Sequence, residues 1–573
     1  MPMRTGPALA GTLIALAATS SIASAQGILR IEPGGRSGEP PPLQREAPRP
    51  LPPPVPILPR LPPAAPGPFA PLPGERVFVR EIRVTGSTVF SRAELAAVIA
   101  PYVNREVSSE DLEGLRVALT RLYVERGYVN SGAVLPDQTV TDGVITFVIV
   151  EGVLSDIEIR GNRWFRDRYL RDRLRLAAGP PLNAEALQQR LQLLLEDPRL
   201  RRLNAELRPG LRPGEGVLDV NVDEARPYRL FLEFNNYQSP SIGAERGLIT
   251  LEHQNLTGNG DVLSLRYGRS EGADPQLDFR YAFSLTARDL TLIAEYRKND
   301  FTVIEAPFQD LDIKSTSDIV TFTLRAPVYH TINDLVALEL TGERLTNQTS
   351  LLGRPFPLAP GARNNGESTV TAIRVAQEWV SRTDVQVVAV RSRFSVGIDA
   401  LGATINRGEI ADGRFFAWLG QFQFVRRLPF LDTELIARTD LQLTPDPLLA
   451  LEQIAVGGRY TVRGYRENTF VRDNAVVASV EARVPVVQNA RWADFVEIAP
   501  FTDFGHAWNN TGPKPKVRSI SSVGLGLRWG LTIPGIIRPQ LEVYWGHALR
   551  DVPTPGGNLQ DKGLHLQFVL GTL

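Results

Sequence analysis

The 573-residue sequence contains no cysteine, and its only two methionines are Met1 and Met3. The mature chain therefore forms no disulfide, and it offers neither a thiolate nucleophile nor a sulfur ligand to a metal. Basic and acidic residues are balanced at 63 each, so no strong net charge attracts the chain to nucleic acid. This composition is compatible with passage through an oxidising periplasm.

Sequence signatures of enzymes are also missing. The five histidines, at positions 253, 330, 506, 547 and 565, are scattered without the spacing of metal ligands. No P-loop is present. We therefore predict a protein that is not an enzyme and that uses no metal and no cofactor.

Long apolar runs are absent except near the N-terminus. Residues 1–25 have the parts of a secretory signal peptide: a basic residue at Arg4, a short apolar stretch from Ala8 to Ala18, and an A-x-A cleavage site before Gln26. Further along, no window reaches the roughly 18 consecutive apolar residues that a transmembrane helix needs. An exported chain of this kind is either soluble or a β-barrel, because only helices and closed barrels satisfy their backbone hydrogen bonds in lipid.

Residues 26–76 form an N-terminal segment and a proline-rich linker. The stretch from 40 to 73 contains 16 prolines. Proline lacks the backbone N–H that pairing requires, so the composition predicts an extended, semi-rigid polyproline II spacer.

An internal repeat with a period of 75 residues follows the linker. Its two copies, predicted as modules at 77–152 and 153–226, open with Ile82-x-Val84-x-Gly86-x-x-x-Phe90 and Ile157-x-Ile159-x-Gly161-x-x-x-Phe165. Each copy continues with an amphipathic helix, for which Ser108 and Asn183 are the predicted N-caps. We predict the order strand, helix, helix, strand, strand in both modules. Two unrelated α/β segments are the alternative, and the matched spacing counts against it.

Residues 227–573 have the pattern of an all-β domain. Short stretches of alternating apolar and polar residues are separated by turns, such as Gly258–Asp261 before Val262–Tyr267. The 346 residues from Tyr228 to Leu573 suit a transmembrane barrel of about 16 antiparallel strands, at roughly 20 residues per strand and connection. A soluble β-sandwich would explain the alternation but not this length, nor aromatic strand ends such as Tyr544-Trp545.

Two motifs within the barrel region point to a mechanism. A long connection from Pro445 to Arg472 contains Gly457-Gly458-Arg459-Tyr460-Thr461-Val462-Arg463-Gly464-Tyr465, in which paired glycines allow a tight fold and an arginine can reach an acid. Downstream, Phe501-x-Asp503-x-Gly505 lies on one face of a predicted strand. A carboxylate that faced lipid would be costly, so we predict that Asp503 faces the lumen. Glu481 is a candidate for a second acid in the lumen.

These motifs resemble those of a known family. Val462-Arg463-Gly464-Tyr465 matches the VRGY loop motif, and Phe501-x-Asp503-x-Gly505 matches the barrel-strand motif, of two-partner secretion transporters of the TpsB type. The tandem modules resemble POTRA domains, and the resemblance extends from about Val77 to the C-terminus. It implies a barrel in the outer membrane with POTRA modules in the periplasm. It also implies that Arg463 pairs with Asp503 inside the lumen.

The function implied by this resemblance is translocation. The barrel, in contact with outer-membrane lipid, would secrete a large partner protein that the modules bind in extended form, with no nucleic acid involved. An insertase or assembly factor for other barrels is the alternative. The presence of two modules rather than a longer array, together with the proline-rich linker, favours the exporter. A passive porin is a third hypothesis, and the modules count against it.

Overall fold

The computed structural model describes Pro50, Ile57, Leu58 and residues 76–572. The predicted signal peptide and nearly all of the predicted polyproline II spacer lie outside the described residues. The chain forms two compact units, one consisting mainly of Pro54–Arg226 and the other including Pro227–Leu256 and Asp261–Leu573. Among the helices that the structure describes, none is both long and apolar enough to cross a membrane.

The first module is a three-stranded sheet covered by helices. In chain order its elements are β1 Val77–Val79, β2 Glu81–Thr85, α1 Arg92–Ile99, β3 Arg105–Val107, α2 Ser109–Glu125, β4 Gly132–Val134 and β5 Val144–Val150. The sheet has the order β2-β5-β4, with β2 parallel to β5. As predicted, Ser108 caps α2, because its side chain accepts the N–H of Asp111. The buried face of α2, which includes Leu115 and Leu119, packs against Phe147 of β5.

The second module repeats this architecture. Its elements are β6 Val153–Arg160, α3 Asp167–Arg175, α4 Ala184–Leu195, β7 Leu200–Pro209 and β8 Glu215–Glu224. The sheet has the order β6-β8-β7, again with its first strand parallel to its last. Asn183 caps α4 as predicted, by accepting the N–H groups of Glu185 and Ala186. The two α/β modules are thus confirmed.

The predicted element order is correct for the second module and incomplete for the first. In the first module β1 and β3 form an additional antiparallel pair, with Val77 opposite Val107. Each of these strands has only three residues. A strand of that length shows no measurable alternation, so the pattern in the sequence could not reveal it.

The 75-residue period reflects one turn geometry that is built twice. Gly86 and Gly161 both have φ +82°, and a Cβ on either would lie 2.4 Å from a carbonyl oxygen of the module's last strand. Only glycine tolerates both constraints. The carboxylate of Glu151 then accepts two backbone N–H groups of the turn, at 2.6 and 3.2 Å. Glu224 does the same in the second module, at 2.6 and 3.0 Å.

The two modules are joined by side-chain amides. Asn130 of the first module donates to the carbonyl oxygens of Val153 and Gly214, at 3.3 and 2.9 Å. From the second module, Asn183 donates to the carbonyl of Arg126 at 3.0 Å. These hydrogen bonds satisfy backbone groups that would otherwise need water, so they fix the junction between the modules.

The barrel unit contains the remaining strands. They are β9 Tyr228–Asn235, β10 Arg246–Gln254, β11 Val262–Ser270, β12 Ala273–Ser284, β13 Thr291–Thr302, β14 Lys314–His330, β15 Asp334–Leu351, β16 Arg354–Pro355, β17 Glu367–Arg382, β18 Gln386–Gly397, β19 Phe416–Arg427, β20 Glu434–Leu443, β21 Ile454–Val456, β22 Phe470–Arg472, β23 Asn474–Ala490, β24 Ala493–Trp508, β25 Ser519–Gly530, β26 Ile537–Ala548 and β27 Leu564–Thr572. Strands β16, β21 and β22 lie in connections. The other sixteen strands of the described chain close into an antiparallel barrel, as predicted.

The two faces of the barrel wall differ in chemistry. Along β24, Phe501 and Asp503 are buried inside, whereas Thr502 and Phe504 are exposed outside. Large apolar side chains on the outer face include Leu292, Phe322, Leu340, Trp379, Phe422, Leu525 and Trp545. An apolar exterior and a polar interior are the arrangement expected of a barrel in lipid.

The closure between the first and last barrel strands is short. β27 pairs with β9 through five residue pairs, from Gln567 opposite Asn235 to Gly571 opposite Phe231. Beyond this ladder, the side chain of Asn236 donates to the carbonyl of Leu564 at 2.9 Å and accepts the N–H of Leu566 at 2.7 Å. Together with the backbone hydrogen bond from the N–H of Asn236 to the carbonyl of Leu566 at 3.2 Å, these side-chain hydrogen bonds extend the closure past the ladder.

Candidate functional site

The long loop between β20 and β23 has structure of its own. Strands β21 and β22 pair as an antiparallel hairpin, with Ile454 opposite Arg472. The sequence predicts only a long connection here, because both strands have three residues, too few to show alternation. The hairpin carries the tip of the loop, residues 457–469, against the inner wall of the barrel.

Arg463 at this tip is fully enclosed by the wall. Its side chain is 1% exposed. Its Nε donates to Asp503 Oδ2 and its Nη2 to Asp503 Oδ1, both at 2.8 Å. The backbone N–H of Arg463 donates to the same carboxylate at 2.9 Å. The structure thus brings together the two residues on which the motifs centre, through a bidentate ion pair.

A second acid, Glu481, also binds Arg463. Glu481 accepts from Nη1 of Arg463 and, at 2.7 Å, from Nε of Arg483. Two carboxylates therefore face two guanidinium groups. Tyr544 donates its hydroxyl to Glu481 at 3.3 Å, and Ser479 bridges Arg463 and Asp503 at 3.0 and 2.7 Å. We call Arg463, Asp503, Glu481, Arg483, Ser479 and Tyr544 the arginine cluster.

Aromatic faces shield this cluster. The guanidinium carbon of Arg463 lies 3.6 Å from the ring centroid of Phe501 and 5.1 Å from that of Tyr544. Such contacts stabilise a buried cation. Phe501, the first residue of the strand motif, therefore contacts Arg463 directly, as Asp503 does.

The glycines of both motifs permit close contact between loop and wall. Gly464 has φ +88°, and a Cβ on it would lie 2.8 Å from the carbonyl oxygen of Gly546 on β26. At Gly505, a Cβ would lie 2.4 Å from Val456 and 2.9 Å from Val462. A side chain at either glycine would push the loop away from the wall.

Val462 and Tyr465 anchor the loop on either side of Arg463. Val462 is fully buried in an apolar cluster that includes Val477 and Ile520 of the wall. The hydroxyl of Tyr465 lies 2.9 Å from the carbonyl oxygen of Arg550 and 3.0 Å from that of Ser521. Every residue of the VRGY motif thus contacts the wall or a neighbouring connection.

Two further arginines of the loop, Arg459 and Arg466, belong to the site but were not predicted from the sequence. Arg459 donates to Glu542 of β26 at 2.9 Å, and its guanidinium carbon lies 3.9 Å from the ring centroid of Tyr544. Arg466 binds Asp561 with two nitrogens and Glu305 with a third, the latter at 2.8 Å. The spacing of arginines in the loop is visible in the sequence, but their acidic partners are distant in the chain.

One residue has a different place from the one predicted. Tyr544 was interpreted as part of an aromatic strand end at the membrane interface, together with Trp545. The structure buries Tyr544 completely in the interior, and only Trp545 is on the outer face, 49% exposed. Adjacent residues of a strand point to opposite faces, so the pair cannot share one surface.

Comparison with known protein families identifies the chain. Residues 214–529 match the family described as haemolysin secretion/activation protein ShlB/FhaC/HecB. The chain belongs to this family. Residues 77–152 match the POTRA domain of ShlB type.

Curated relatives and solved structures agree with this membership in the ShlB/FhaC/HecB family. The chain is 25% identical over 471 residues to the outer membrane transporter CdiB of Dickeya dadantii (strain 3937), covering 79% of this chain and 80% of that protein. It is 24% identical over 412 residues to the hemolysin transporter protein ShlB of Serratia marcescens, covering 69% of each. The structure of CdiB from Escherichia coli matches with a TM-score of 0.66 at 20% identity, over 90% of this chain and 93% of that one. The structural likeness shows a shared fold.

Membership in the ShlB/FhaC/HecB family confirms the predicted class of function. The chain is an outer-membrane transporter of the two-partner secretion type, with its POTRA domains in the periplasm. The family is one of transporters rather than a class of enzymes.

Proposed function

We infer that the chain exports one large partner protein, which the POTRA domains bind in extended form, and that the arginine cluster sets the position of the long loop for transport. The complete enclosure of Arg463 by wall residues is the observation that carries this proposal. Val462, Arg463, Gly464 and Tyr465 act from the loop, and Phe501, Asp503 and Gly505 receive them on the wall, together with Glu481.

The cluster suits a loop with one preferred position. If Arg463 left the wall, the buried carboxylates of Asp503 and Glu481 would lose a shared cation. An uncompensated buried charge is costly, so partial withdrawal of the loop is disfavoured. The loop packs against β24 and β26, so a polypeptide that crosses this part of the interior must displace the loop or pass along the opposite wall.

The modules offer sheet edges for an extended client. In the described part of the chain, the first module has β2 and β4 as edge strands, and the second has β6 and β7. An unpaired edge can add a strand from a partner through backbone hydrogen bonds, which recognises an extended chain with little dependence on its sequence. This mode suits capture of an unfolded exoprotein.

Deletion of the gene tests the export function. We expect one large protein to disappear from the cell surface and culture medium, while other barrels remain at normal abundance. Broad loss of outer-membrane barrels would instead support an assembly factor, and altered solute uptake alone would support a porin. Comparison of the outer-membrane and secreted proteomes of the two strains distinguishes these outcomes.

Replacement of Arg463 tests the role of the cluster. We expect Arg463→Ala to reduce secretion strongly at normal surface abundance of the transporter, because the loop loses its ties to both acids. Arg288→Ala is the matched control, since Arg288 is exposed in the turn between β12 and β13. Undiminished secretion by Arg463→Ala would leave the cluster with a stabilising role only.

A further inference from the structure

The second module holds a short piece of the proline-rich linker. Ile57 and Leu58 are half-buried and pack against the apolar core of this module. The backbone N–H of Leu58 donates to Oε1 of Gln188 on α4 at 2.9 Å. The neighbour of Gln188 in the sequence, Leu187, is fully buried in the same core. The contact therefore combines apolar burial with recognition of a backbone group.

Gln188 uses only its carbonyl oxygen in this contact. Its Nε2 is buried and has no hydrogen-bond partner among the described residues. A carboxamide has an acceptor oxygen and a donor NH2 group, so it can bind both the N–H and the C=O of an extended peptide. A buried donor without a partner costs free energy. A segment that also placed a carbonyl oxygen at Nε2 would bind better than the linker does.

The composition of the linker suits a weakly bound peptide that another peptide can displace from the second module. Seven of the twelve residues from 52 to 63 are proline, which leaves few backbone N–H groups for pairing. This proline content predicts an extended polyproline II conformation without internal hydrogen bonds, which would resemble an unfolded client in shape. Because the linker is part of the same chain, it competes at a high effective concentration.

We propose that the surface of the second module around Gln188 is a binding site for an extended peptide, occupied at rest by Ile57 and Leu58, and that an extended segment of the exported protein displaces them. This proposal rests on the export function for the identity of the displacing client. The binding site itself does not depend on that function. The linker acts as an intramolecular competitor, so its removal should expose the site.

Peptide binding to the full-length protein in detergent tests the site. The probe is a fluorescent synthetic peptide of residues 50–64 of this chain. We expect the Ile57→Asp/Leu58→Asp protein to bind the peptide at least about tenfold more tightly than the wild type, because the tethered competitor is removed. In that background, Gln188→Ala should weaken binding roughly threefold to tenfold, the effect of one hydrogen bond. Equal binding by the wild type and the double variant would overturn the proposal.

Two controls keep the result interpretable. Gln189→Ala in the same background should leave binding unchanged, because Gln189 is exposed on α4. The chain has no cysteine, so Leu58→Cys and Gln188→Cys can be joined selectively by a short bismaleimide. Both forms lack the Gln188 side chain, so only the difference between them is informative: the joined form, whose linker cannot leave, should bind the peptide more weakly than the unreacted form, and equal binding would contradict the proposal.

Secretion measured in the same variants separates this proposal from the export function. If the export function holds, Ile57→Asp/Leu58→Asp should change the rate of secretion of the partner protein. If no secreted protein depends on this gene, the export function fails, while the peptide-binding result still decides whether the site exists.

Discussion

Ion pairs inside the barrel and ion pairs on the modules both join an arginine to a carboxylate, but they differ in their exposure to solvent. In the barrel, the side chains of Arg463 and Asp503 are 1% and 0% exposed. On α2 of the first module, those of Arg121 and Glu125 are 75% and 59% exposed. The two pairs have similar N–O distances, 2.8 and 2.7 Å. The N–O distance alone therefore does not show how much an ion pair contributes to stability.

Solvation determines the difference. Water screens the pair on α2 and competes for its partners, so its net contribution is small. Arg463 and Asp503 are both buried, so removal of one partner leaves a buried charge without its counterion. The long loop is held in this way at several places, because Arg459 binds Glu542 at 2.9 Å and Arg374 of β17 binds Glu452 near the start of the loop at 2.7 Å. These buried ion pairs thus fix the position of the loop against the barrel wall.

The largest effect is expected when one charge of the arginine cluster is removed alone. Arg463→Ala should destabilise the barrel by about 3–5 kcal/mol, because Asp503 and Glu481 remain buried without this cation. Arg463→Ala combined with Asp503→Asn should cost less than the sum of the two single substitutions. Urea unfolding of the protein in lipid vesicles measures all four proteins of this cycle. Strict additivity would show that the pair is not coupled.

A smaller effect is expected at Arg466, which is partly accessible at 11% exposure. Arg466→Ala removes ion pairs to Asp561 and Glu305, which lie in two other connections, and should cost about 1.5–3 kcal/mol. Hydrogen exchange should rise in residues 457–469 and in the connections that contain the two acids. Unchanged exchange in those connections would show that Arg466 does not tie them to the loop.

The sequence was sufficient for the architecture and for the centre of the site. The 75-residue period predicted two modules because each copy needs the same glycine at the same turn. Alternation along β24 placed Asp503 inside because a strand has only two faces. Arg463 followed from the resemblance of its motif to that of a known family.

The remaining site residues could not be predicted because their partners come together only on closure of the barrel. Arg459 lies 83 residues from Glu542, and Arg466 lies 161 residues from Glu305. No local pattern links such positions. Tyr544 was misplaced for a different reason: it and Trp545 were assigned to one surface, although adjacent residues of a strand point to opposite faces. The linker contact at Gln188 was also unpredictable, because proline content indicates conformation and not a docking site.

A pH effect is expected at Glu151 in the first module. Burial opposes its ionisation, but hydrogen bonds from Thr88, Tyr123 and Val89 outweigh burial and lower the pKa of Glu151. The stabilisation is therefore complete above the unfolded value, about 4.3, and is lost as the pH falls towards the lower folded pKa. Hydrogen exchange of the first module, corrected for intrinsic rates, should show this loss in the wild type and a smaller one in Glu151→Gln. An equal acid response in both proteins would contradict this assignment.

The smallest effect is expected for the exposed pair on α2. Arg121→Ala should change the stability of the first module by no more than about 0.5 kcal/mol, because water already solvates both charges. Its sequence order is also the less favourable one for a helix, with the arginine four residues before the acid. Hydrogen exchange of α2 at low and high salt measures the effect. A large loss of stability that does not depend on salt would mean that solvent exposure does not explain the difference between the pair at Arg121 and the pair at Arg463.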